Sequence, residues 1–278
     1  MKKLLFALLL LGLTLSANMF DDALKAYSED DKYKAVKLWD KACDSGDMAS
    51  CYNSGFLYDK GDGVKQDKDK AIKLYTQACD AAYMKACFNL GNAYSNGDGV
   101  KQDKQKAIKL YTKSCDGGYM SSCYNKGFMY YNGDGVKLDK QKAIQLYTKS
   151  CAGGYMSACY NKGFMYHNGD GVKQDKHIAF KLYLKACNGK DMSACHNLGL
   201  MYSKGDAVRQ DKYKAAKLFS KACAGENMEA CYHSGNTYNF GNGVIQDQRR
   251  AKELYGIACD GGDQDACKNY RILNEQGI

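Results

Sequence analysis

Residues 43–51 read CDSGDMASC, two cysteines with seven residues between them. The spacing recurs along the chain, and each pair starts 36 residues after the previous one without an insertion or deletion. The pairs are Cys43 and Cys51, Cys79 and Cys87, Cys115 and Cys123, Cys151 and Cys159, Cys187 and Cys195, Cys223 and Cys231, and Cys259 and Cys267, which together use all 14 cysteines. A fixed period of this length predicts stacked supersecondary units, so we expect one elongated repeat domain.

The residues between the cysteines predict two helices in each repeat. In the repeat that starts at Cys87, the helical spacing of Cys87, Gly91 and Tyr94 predicts a first helix over residues 84–96. A glycine-rich loop over 97–100 ends this helix, and Asp103 is placed to cap the second one. The chain has no proline, which suits closely spaced helices. We therefore expect an all-α chain of about 15 helices without strands.

The pattern divides the chain into four parts. Residues 1–17 form a signal peptide, residues 18–50 a capping helix pair with the first hairpin loop, residues 51–266 six 36-residue repeats, and residues 267–278 a C-terminal capping helix. The opening helix has no cysteine, and Arg271 stands where the other repeats have glycine. Atypical end units are expected in a repeat protein, because nothing stacks on their outer faces.

The first 17 residues have the three parts of a secretory signal. Lys2 and Lys3 precede an apolar stretch over residues 4–15, and Ser16 and Ala17 are small residues suited to cleavage. The apolar stretch is too short to span a membrane stably. The sequence therefore predicts a secreted or periplasmic protein without stable membrane insertion.

The cysteine pairs are interpreted as disulfides. The first cysteine of each pair ends one helix and the second starts the next, and in a helical hairpin such positions lie within disulfide range. An exported chain reaches an oxidising compartment, where disulfides persist. Zinc sites have cysteines two to four residues apart or histidines at set spacing, and neither pattern occurs here. We expect seven local disulfides, no metal site and no cofactor.

The charge balance favours an anionic partner only weakly. The chain carries a net charge of +9. Lysines such as Lys65, Lys68, Lys70 and Lys73 recur at helix positions expected to face water, so we interpret them as a solvated face. No nucleic-acid-binding motif is present, and we expect no nucleic-acid partner and a monomeric chain.

The repeat unit resembles a known family. Its pattern is Cys-aromatic-Asn-x-Gly-x-x-Tyr, then Gly-Asp-Gly-Val, then Lys-Ala-x-x-Leu-Tyr-x-x-Ala-Cys. This pattern resembles the Sel1-like repeat, a relative of the tetratricopeptide repeat, and the cysteine pairs look like those of the Helicobacter cysteine-rich protein family. The resemblance implies a right-handed α/α solenoid stapled by disulfides, with a concave groove lined by the first helices.

The resemblance also implies a ligand-binding groove. In tetratricopeptide relatives, an asparagine two residues before the helix glycine faces the groove and holds a bound peptide's backbone. The matching residues here are Asn53, Asn89, Asn125, Asn161 and Asn197, with His233 in the sixth repeat and with Tyr124, Tyr160 and His196 as neighbours. The residues after the glycine, Phe56, Asn92, Phe128, Phe164, Leu200 and Asn236, are further candidates for exposure. An amide both donates and accepts, so it suits a peptide backbone. The alternative is that these asparagines brace local backbone.

Two functions from different classes follow. The first is an exported scaffold that binds an extended peptide, a host or envelope protein, or a cell-wall fragment. The second follows from family members described as penicillin-binding proteins with weak β-lactamase activity, which implies binding and slow hydrolysis of β-lactams or muropeptides.

The residues do not favour an enzyme. The chain lacks the Ser-x-x-Lys, Ser-Asp-Asn and Lys-Thr-Gly motifs of serine β-lactamases. Its four histidines, His167, His177, His196 and His233, occupy different repeat positions, and we name no catalytic residue. Asp62, Asp98, Asp134 and Asp170 of the Gly-Asp-Gly-Val loops are interpreted as turn residues, since near-copies of one loop are not each an active site.

Overall fold

The computed structural model describes residues 18–278, so the predicted signal peptide at residues 1–17 lies outside the described residues. Residues 18–278 contain 15 helices joined by turns and no strand. The prediction of an all-α repeat chain is therefore confirmed for this part of the sequence.

The described helices form two compact units, of which the first ends at Asp139 and the second spans Lys140–Ile278. The first unit contains α1 (residues 18–28), α2 (Lys32–Asp44), α3 (Met48–Lys60), α4 (Lys68–Asp80), α5 (Met84–Asn96), α6 (Lys104–Asp116) and α7 (Met120–Asn132). The second unit contains α8 (Lys140–Ala152), α9 (Met156–Asn168), α10 (Lys176–Asn188), α11 (Met192–Lys204), α12 (Lys212–Ala224), α13 (Met228–Phe240), α14 (Gln248–Asp260) and α15 (Gln264–Glu275). Within each unit every helix packs on its sequence neighbours, so consecutive helix pairs form a solenoid.

Local sequence signals determine the helix ends. Helix α5 begins and ends at the predicted residues, and Gly97 after it has a positive φ of 76°. A positive φ costs glycine little, so the chain turns sharply at this point. Asp103 caps α6, because its side chain accepts a hydrogen bond from the backbone N–H of Lys106 at 2.9 Å.

The glycine of each first helix permits close packing against the second helix. Gly91 of α5 is buried, and a Cβ atom built there would lie 2.7 Å from Cε1 of Tyr111 on α6. That distance is shorter than any ordinary carbon contact, so the ring of Tyr111 occupies the space that a side chain would need. The buried ring becomes the packing centre between α5 and α6.

All seven predicted disulfide pairs are present, and no cysteine is free. The Cα atoms of a pair lie between 4.5 Å and 4.8 Å apart. Each bridge joins the second helix of one pair to the first helix of the next, as Cys79 of α4 joins Cys87 of α5. The bridges therefore connect successive helix pairs covalently.

A ladder of lysine–aspartate pairs also connects successive repeats. The first lysine of a second helix contacts the aspartate of the next Gly-Asp-x-Val loop, 30 residues later. The pairs are Lys32–Asp62, Lys68–Asp98, Lys104–Asp134, Lys140–Asp170 and Lys176–Asp206. At the sixth position Lys212 Nζ donates to the amide oxygen of Asn242 at 3.2 Å.

The ladder and a further lysine–aspartate pair correct two interpretations made from the sequence. A purely solvated lysine face is wrong for Lys68, which pairs with Asp98, and for Lys70, which contacts the Asp40 carboxylate at 2.8 Å. The aspartates of the loops are also more than turn residues, since each pairs with a lysine of the previous repeat. These contacts pass between repeats, which is why a single repeat's sequence does not reveal them.

Replacing both Cys115 and Cys123 by alanine should lower the free energy of unfolding by about 2.5 kcal/mol, since the bridge closes a nine-residue ring in the unfolded chain. Urea denaturation followed by circular dichroism measures this change. Thiol alkylation of the unfolded, unreduced wild-type chain should detect no free cysteine. An unchanged urea midpoint in the double variant, or alkylated cysteines in the wild type, would contradict the pairing.

Candidate functional site

The five candidate asparagines lie on the first helices, and all are partly exposed. They occupy α3, α5, α7, α9 and α11 in the order Asn53, Asn89, Asn125, Asn161 and Asn197. Two of them, Asn89 and Asn197, line clefts between adjacent first helices. The other three do not line the three clefts described below.

The first cleft has a volume of about 260 Å³ and lies between α3 and α5, with α4 beneath it. Phe56 and Asn89 lie on its two sides, and Tyr75 of α4 lies at its base. The Phe56 side chain is 38% exposed, whereas Tyr75 is only 3% exposed. The Lys68–Asp98 pair of the ladder lies at its edge. The cleft thus combines an exposed aromatic ring, an amide and a buried phenol.

Two similar clefts lie in the second unit. One, of about 240 Å³, lies between α9 and α11 and is lined by Phe164, Tyr183 and Asn197. The other, of about 300 Å³, lies between α11 and α13 above Phe219 of α12. Leu200 and Lys204 of α11 line both clefts, so the two are adjacent.

The residue after the helix glycine determines the polarity of each cleft. Where it is asparagine, its side chain accepts a hydrogen bond from the buried tyrosine hydroxyl, as in Tyr111 to Asn92 and Tyr255 to Asn236, both at 2.7 Å. Where it is phenylalanine, the ring is exposed instead: Phe128 is 48% and Phe164 is 41% exposed. This column therefore lines the clefts more directly than the aromatic column beside the asparagines, and the sequence reasoning gave it too little weight.

The Tyr75 hydroxyl has no hydrogen-bond partner among the described residues, although it is buried. Burial raises the pKa of Tyr75, and the nearby Asn89 side chain opposes that change. Burial likewise raises the pKa of Tyr183, and Asn197 opposes it. Each of these two asparagines therefore lies close to the tyrosine at the base of its own cleft.

Asn125 bonds a side chain of another first helix and not local backbone. Its amide nitrogen donates to the side-chain oxygen of Asn92 at 3.1 Å, and that oxygen also accepts from Tyr111. Asn125 thus connects α7 to α5, and one of its polar atoms is already engaged. Bracing and ligand contact are both compatible with this position, because an amide has more than one polar atom.

The aromatic residues that precede the asparagines pack mainly on the repeat interior. The Tyr160 ring lies 5.8 Å from the Tyr183 ring, and Tyr52 lies 6.0 Å from Tyr75 and 5.3 Å from Tyr83. Tyr124 and Tyr160 are both partly exposed. These rings support the base of the clefts, and their exposed edges are the part that remains accessible.

The expected exposure is wrong for His196, which is only 6% exposed. Its ring stacks on His233 with centroids 5.2 Å apart, and His233 stacks on Phe219 at the same distance. His196 Nδ1 lies 3.6 Å from a carboxylate oxygen of Glu229, and its Nε2 has no hydrogen-bond partner among the described residues. The stack buries His196 because α13 also presents an aromatic ring here.

The histidine stack holds both rings in their neutral forms. Burial lowers the pKa of His196 to about 4, and the neighbouring His233 acts in the same direction. Burial also lowers the pKa of His233, with Lys204 adding to the effect and Glu229 and Asp263 opposing it. Protonation is therefore disfavoured in the folded state.

The described residues contain no group of three histidine, cysteine or acidic side chains arranged to hold a metal ion. His196 and His233 stack face to face, and the cysteines are all in disulfides. The geometry therefore gives no support to the β-lactamase alternative.

Comparison with known proteins identifies the repeat. The model of the Sel1 repeat family matches seven segments, residues 8–47, 49–83, 85–119, 121–155, 157–191, 193–227 and 229–263. The chain belongs to the Sel1 repeat family. Sel1 repeats are a protein-interaction fold, and this chain is a disulfide-linked member.

The division into six repeats between two caps stays a prediction, because the family model places its segment boundaries differently. No curated protein sequence matches the chain.

Solved structures of Sel1 repeat proteins are similar to this chain. A Sel1 repeat protein from Oxalobacter formigenes is 31% identical with a TM-score of 0.82, over 87% of this chain and 99% of that one. A protective antigen of uropathogenic Escherichia coli is 29% identical with a TM-score of 0.81, over 87% of this chain and 52% of the antigen. The chain thus spans about half the length of the antigen.

A cysteine-rich relative also matches. Helicobacter pylori cysteine rich protein B is 32% identical with a TM-score of 0.40, over 49% of this chain and 98% of that one.

For this chain, seven disulfides indicate an oxidising environment outside the cytoplasm. Among residues 18–278, no helix has the length and apolar character needed to cross a bilayer.

Acid should destabilise this Sel1 repeat chain through the histidine stack. In the folded state the pKa of His196 is about 4, so its ring stays neutral above that pH. The pKa of an unfolded histidine is about 6.5. Between these values the unfolded state binds more protons, so stability falls as the pH falls. The other repeats have tyrosine or phenylalanine at the position of His196, and neither side chain titrates between about pH 4 and about pH 8, which makes His196→Tyr the matched variant.

Thermal unfolding of the wild type and His196→Tyr at pH 7.5, 6, 5 and 4.5 measures this effect. The melting temperature of the wild type should drop relative to that of the variant as the pH falls below about 6.5. Curves that stay parallel over this range would show that His196 does not titrate as described.

Proposed function

We propose that this chain is an exported scaffold that binds an extended peptide segment of a partner protein in the clefts between neighbouring first helices of a unit. The observation that carries the proposal is the repeated combination of an exposed apolar side chain and an amide above a buried aromatic ring. Phe56 with Asn89 and Phe164 with Asn197 provide this combination in two separate units.

The chemistry of the clefts suits a peptide. A peptide backbone offers donors and acceptors at regular intervals, and the amides of Asn89 and Asn197 pair with either. Exposed phenylalanine rings supply apolar contact area for alternate side chains of the ligand. Tyr75 lies at the base of the first cleft, where its buried ring supports these contacts from below.

The arrangement of the clefts favours an extended ligand over a compact one. In the second unit, two clefts share Leu200 and Lys204, so a ligand that leaves one cleft enters the next. Solenoids use such repeated surfaces to bind elongated partners. A host protein, an envelope protein and a cell-wall fragment remain the candidate sources of the ligand, as the sequence predicted.

Selection of random peptides on the oxidised chain tests the proposal. Selected peptides should bind, and Phe56→Ala and Asn89→Ala should each weaken peptides of the first cleft about tenfold, since buried central contacts dominate binding. Ile245→Ala removes an apolar side chain that is 91% exposed and lies outside the clefts, and Asn188→Ala removes an exposed amide at the end of α10. These two matched controls should leave affinity unchanged.

Other outcomes of this selection would contradict the proposal or change the class of ligand. Enrichment of no peptide, or equal loss of affinity in the cleft variants and the controls, would contradict the groove proposal. Competition by muropeptides but not by peptides would move the assignment to a cell-wall ligand.

Export is tested separately from ligand binding. Expression of the whole chain in a bacterial host should yield a protein outside the cytoplasm whose N-terminus is Asn18, because the predicted cleavage follows Ala17. N-terminal sequencing of the periplasmic and culture fractions measures this. A chain that retains Met1 and stays in the cytoplasm would contradict the export prediction.

A further inference from the structure

The sixth position of the lysine–aspartate ladder differs from the other five in charge. Asn242 occupies the place of the aspartate, and its side-chain oxygen accepts the hydrogen bond from Lys212 Nζ at 3.2 Å. The geometry of the ladder is therefore kept, but the amide carries no charge. Lys212 has no ion-pair partner among the described residues, whereas the lysines of the other five positions each contact a carboxylate.

The uncompensated lysine lines the cleft between α11 and α13. Lys204 contributes a second ammonium group to this cleft, and His233, Asn236 and Thr237 line its α13 side. No acidic side chain lines it among the residues that the structure describes. The two other clefts do contain carboxylates, with Asp59 and Asp98 in the first and Asp206 in the second. The charge of this cleft is therefore distinct.

Two acidic side chains act on the histidines of this region. Glu229 lies beside His196 and raises the pKa of His233, and Asp263 acts in the same direction. Lys204 opposes them, which places its positive charge close to the same ring. Glu229 is largely exposed to water, where its field is screened. The balance of charge within the cleft itself therefore stays positive.

We infer that the cleft between α11 and α13 binds carboxylate side chains of an extended acidic peptide. The inference rests on the proposed function and adds a specificity to it. Lys204 and Lys212 supply positive charge. The Asn242 oxygen is engaged with Lys212, so its amide nitrogen is the group that donates to a ligand. Arginine is the residue that matches phosphate with paired hydrogen bonds, and none lines this cleft.

The substitution Asn242→Asp tests this assignment with almost no change of shape. It restores the ladder pair of the other repeats, so it neutralises Lys212 and keeps the fold at least as stable. The same change at Asn188, an exposed residue at the end of α10 outside the cleft, alters the net charge equally and serves as the matched control.

The probe is a fluorescein-labelled, acetyl-capped hexaglutamate peptide, and fluorescence anisotropy with the oxidised chain 18–278 measures its affinity at low ionic strength. Asn242→Asp and Lys212→Gln should each weaken binding about tenfold, because a favourable charge contact is lost. Asn188→Asp should have little effect, and a hexaglutamine peptide should bind much more weakly than hexaglutamate. Thermal unfolding of Asn242→Asp at or above the wild-type temperature confirms that its fold is intact.

Three results would overturn the assignment. They are no binding of hexaglutamate by the wild type, equal losses in Asn242→Asp and Asn188→Asp, and displacement of the probe by inorganic phosphate or free glutamate at the concentration of competing hexaglutamate. Peptides selected for the first cleft should be insensitive to Asn242→Asp. If they still bind while hexaglutamate does not, the acidic specificity fails and the groove function stands.

Discussion

The disulfide between the second helix of one pair and the first helix of the next is the constraint on which the rest of the structure depends. It holds the Cα atoms of its two cysteines less than 5 Å apart in every repeat. Two helices joined so closely have small residues at their contact, and the buried alanines, serines and glycines beside the bridges meet that need. Buried aromatic rings such as Tyr147 and Tyr183 then fill the space between pairs together with aliphatic side chains such as Leu57.

The clefts result from this separation of small side chains at the bridges from large rings elsewhere. The buried ring of the second helix occupies the place that Gly91 and its counterparts leave open, so the ring packs directly against the first helix. The residue next to the glycine then either covers the ring or points away from it. Asn92 accepts a hydrogen bond from the Tyr111 hydroxyl. Phe56 occupies the same position two helices earlier, and the Tyr75 hydroxyl of that repeat has no hydrogen-bond partner among the described residues. In these two repeats, one side chain thus determines whether the tyrosine hydroxyl is hydrogen-bonded or lies beside an exposed ring.

Much of the fold could be predicted from the sequence because its determinants are local. Cysteine spacing, helix-terminal glycines and capping aspartates all act within ten residues of one another, and the bounds of α5 followed from them. The ladder from Lys68 to Asp98 could not be predicted, because it joins residues of different repeats whose separation reflects the stacking of helices. The burial of His196 could not be predicted from the sequence, for a related reason. It results from the ring of His233 one repeat later, and a position within a repeat contains no information about its neighbour.

The spacing of the bridges also bears on how the chain is oxidised. Partner cysteines are eight residues apart, whereas the end of one pair and the start of the next, such as Cys51 and Cys79, are separated by 28 residues. A chain that enters an oxidising compartment from its N-terminus presents each cysteine with its own partner before any other reduced thiol arrives. Correct pairing then follows from the order of emergence, with no need to break and exchange wrong bridges. In a protein with 14 cysteines, a repeated local spacing thus replaces a search among many pairings by seven independent closures.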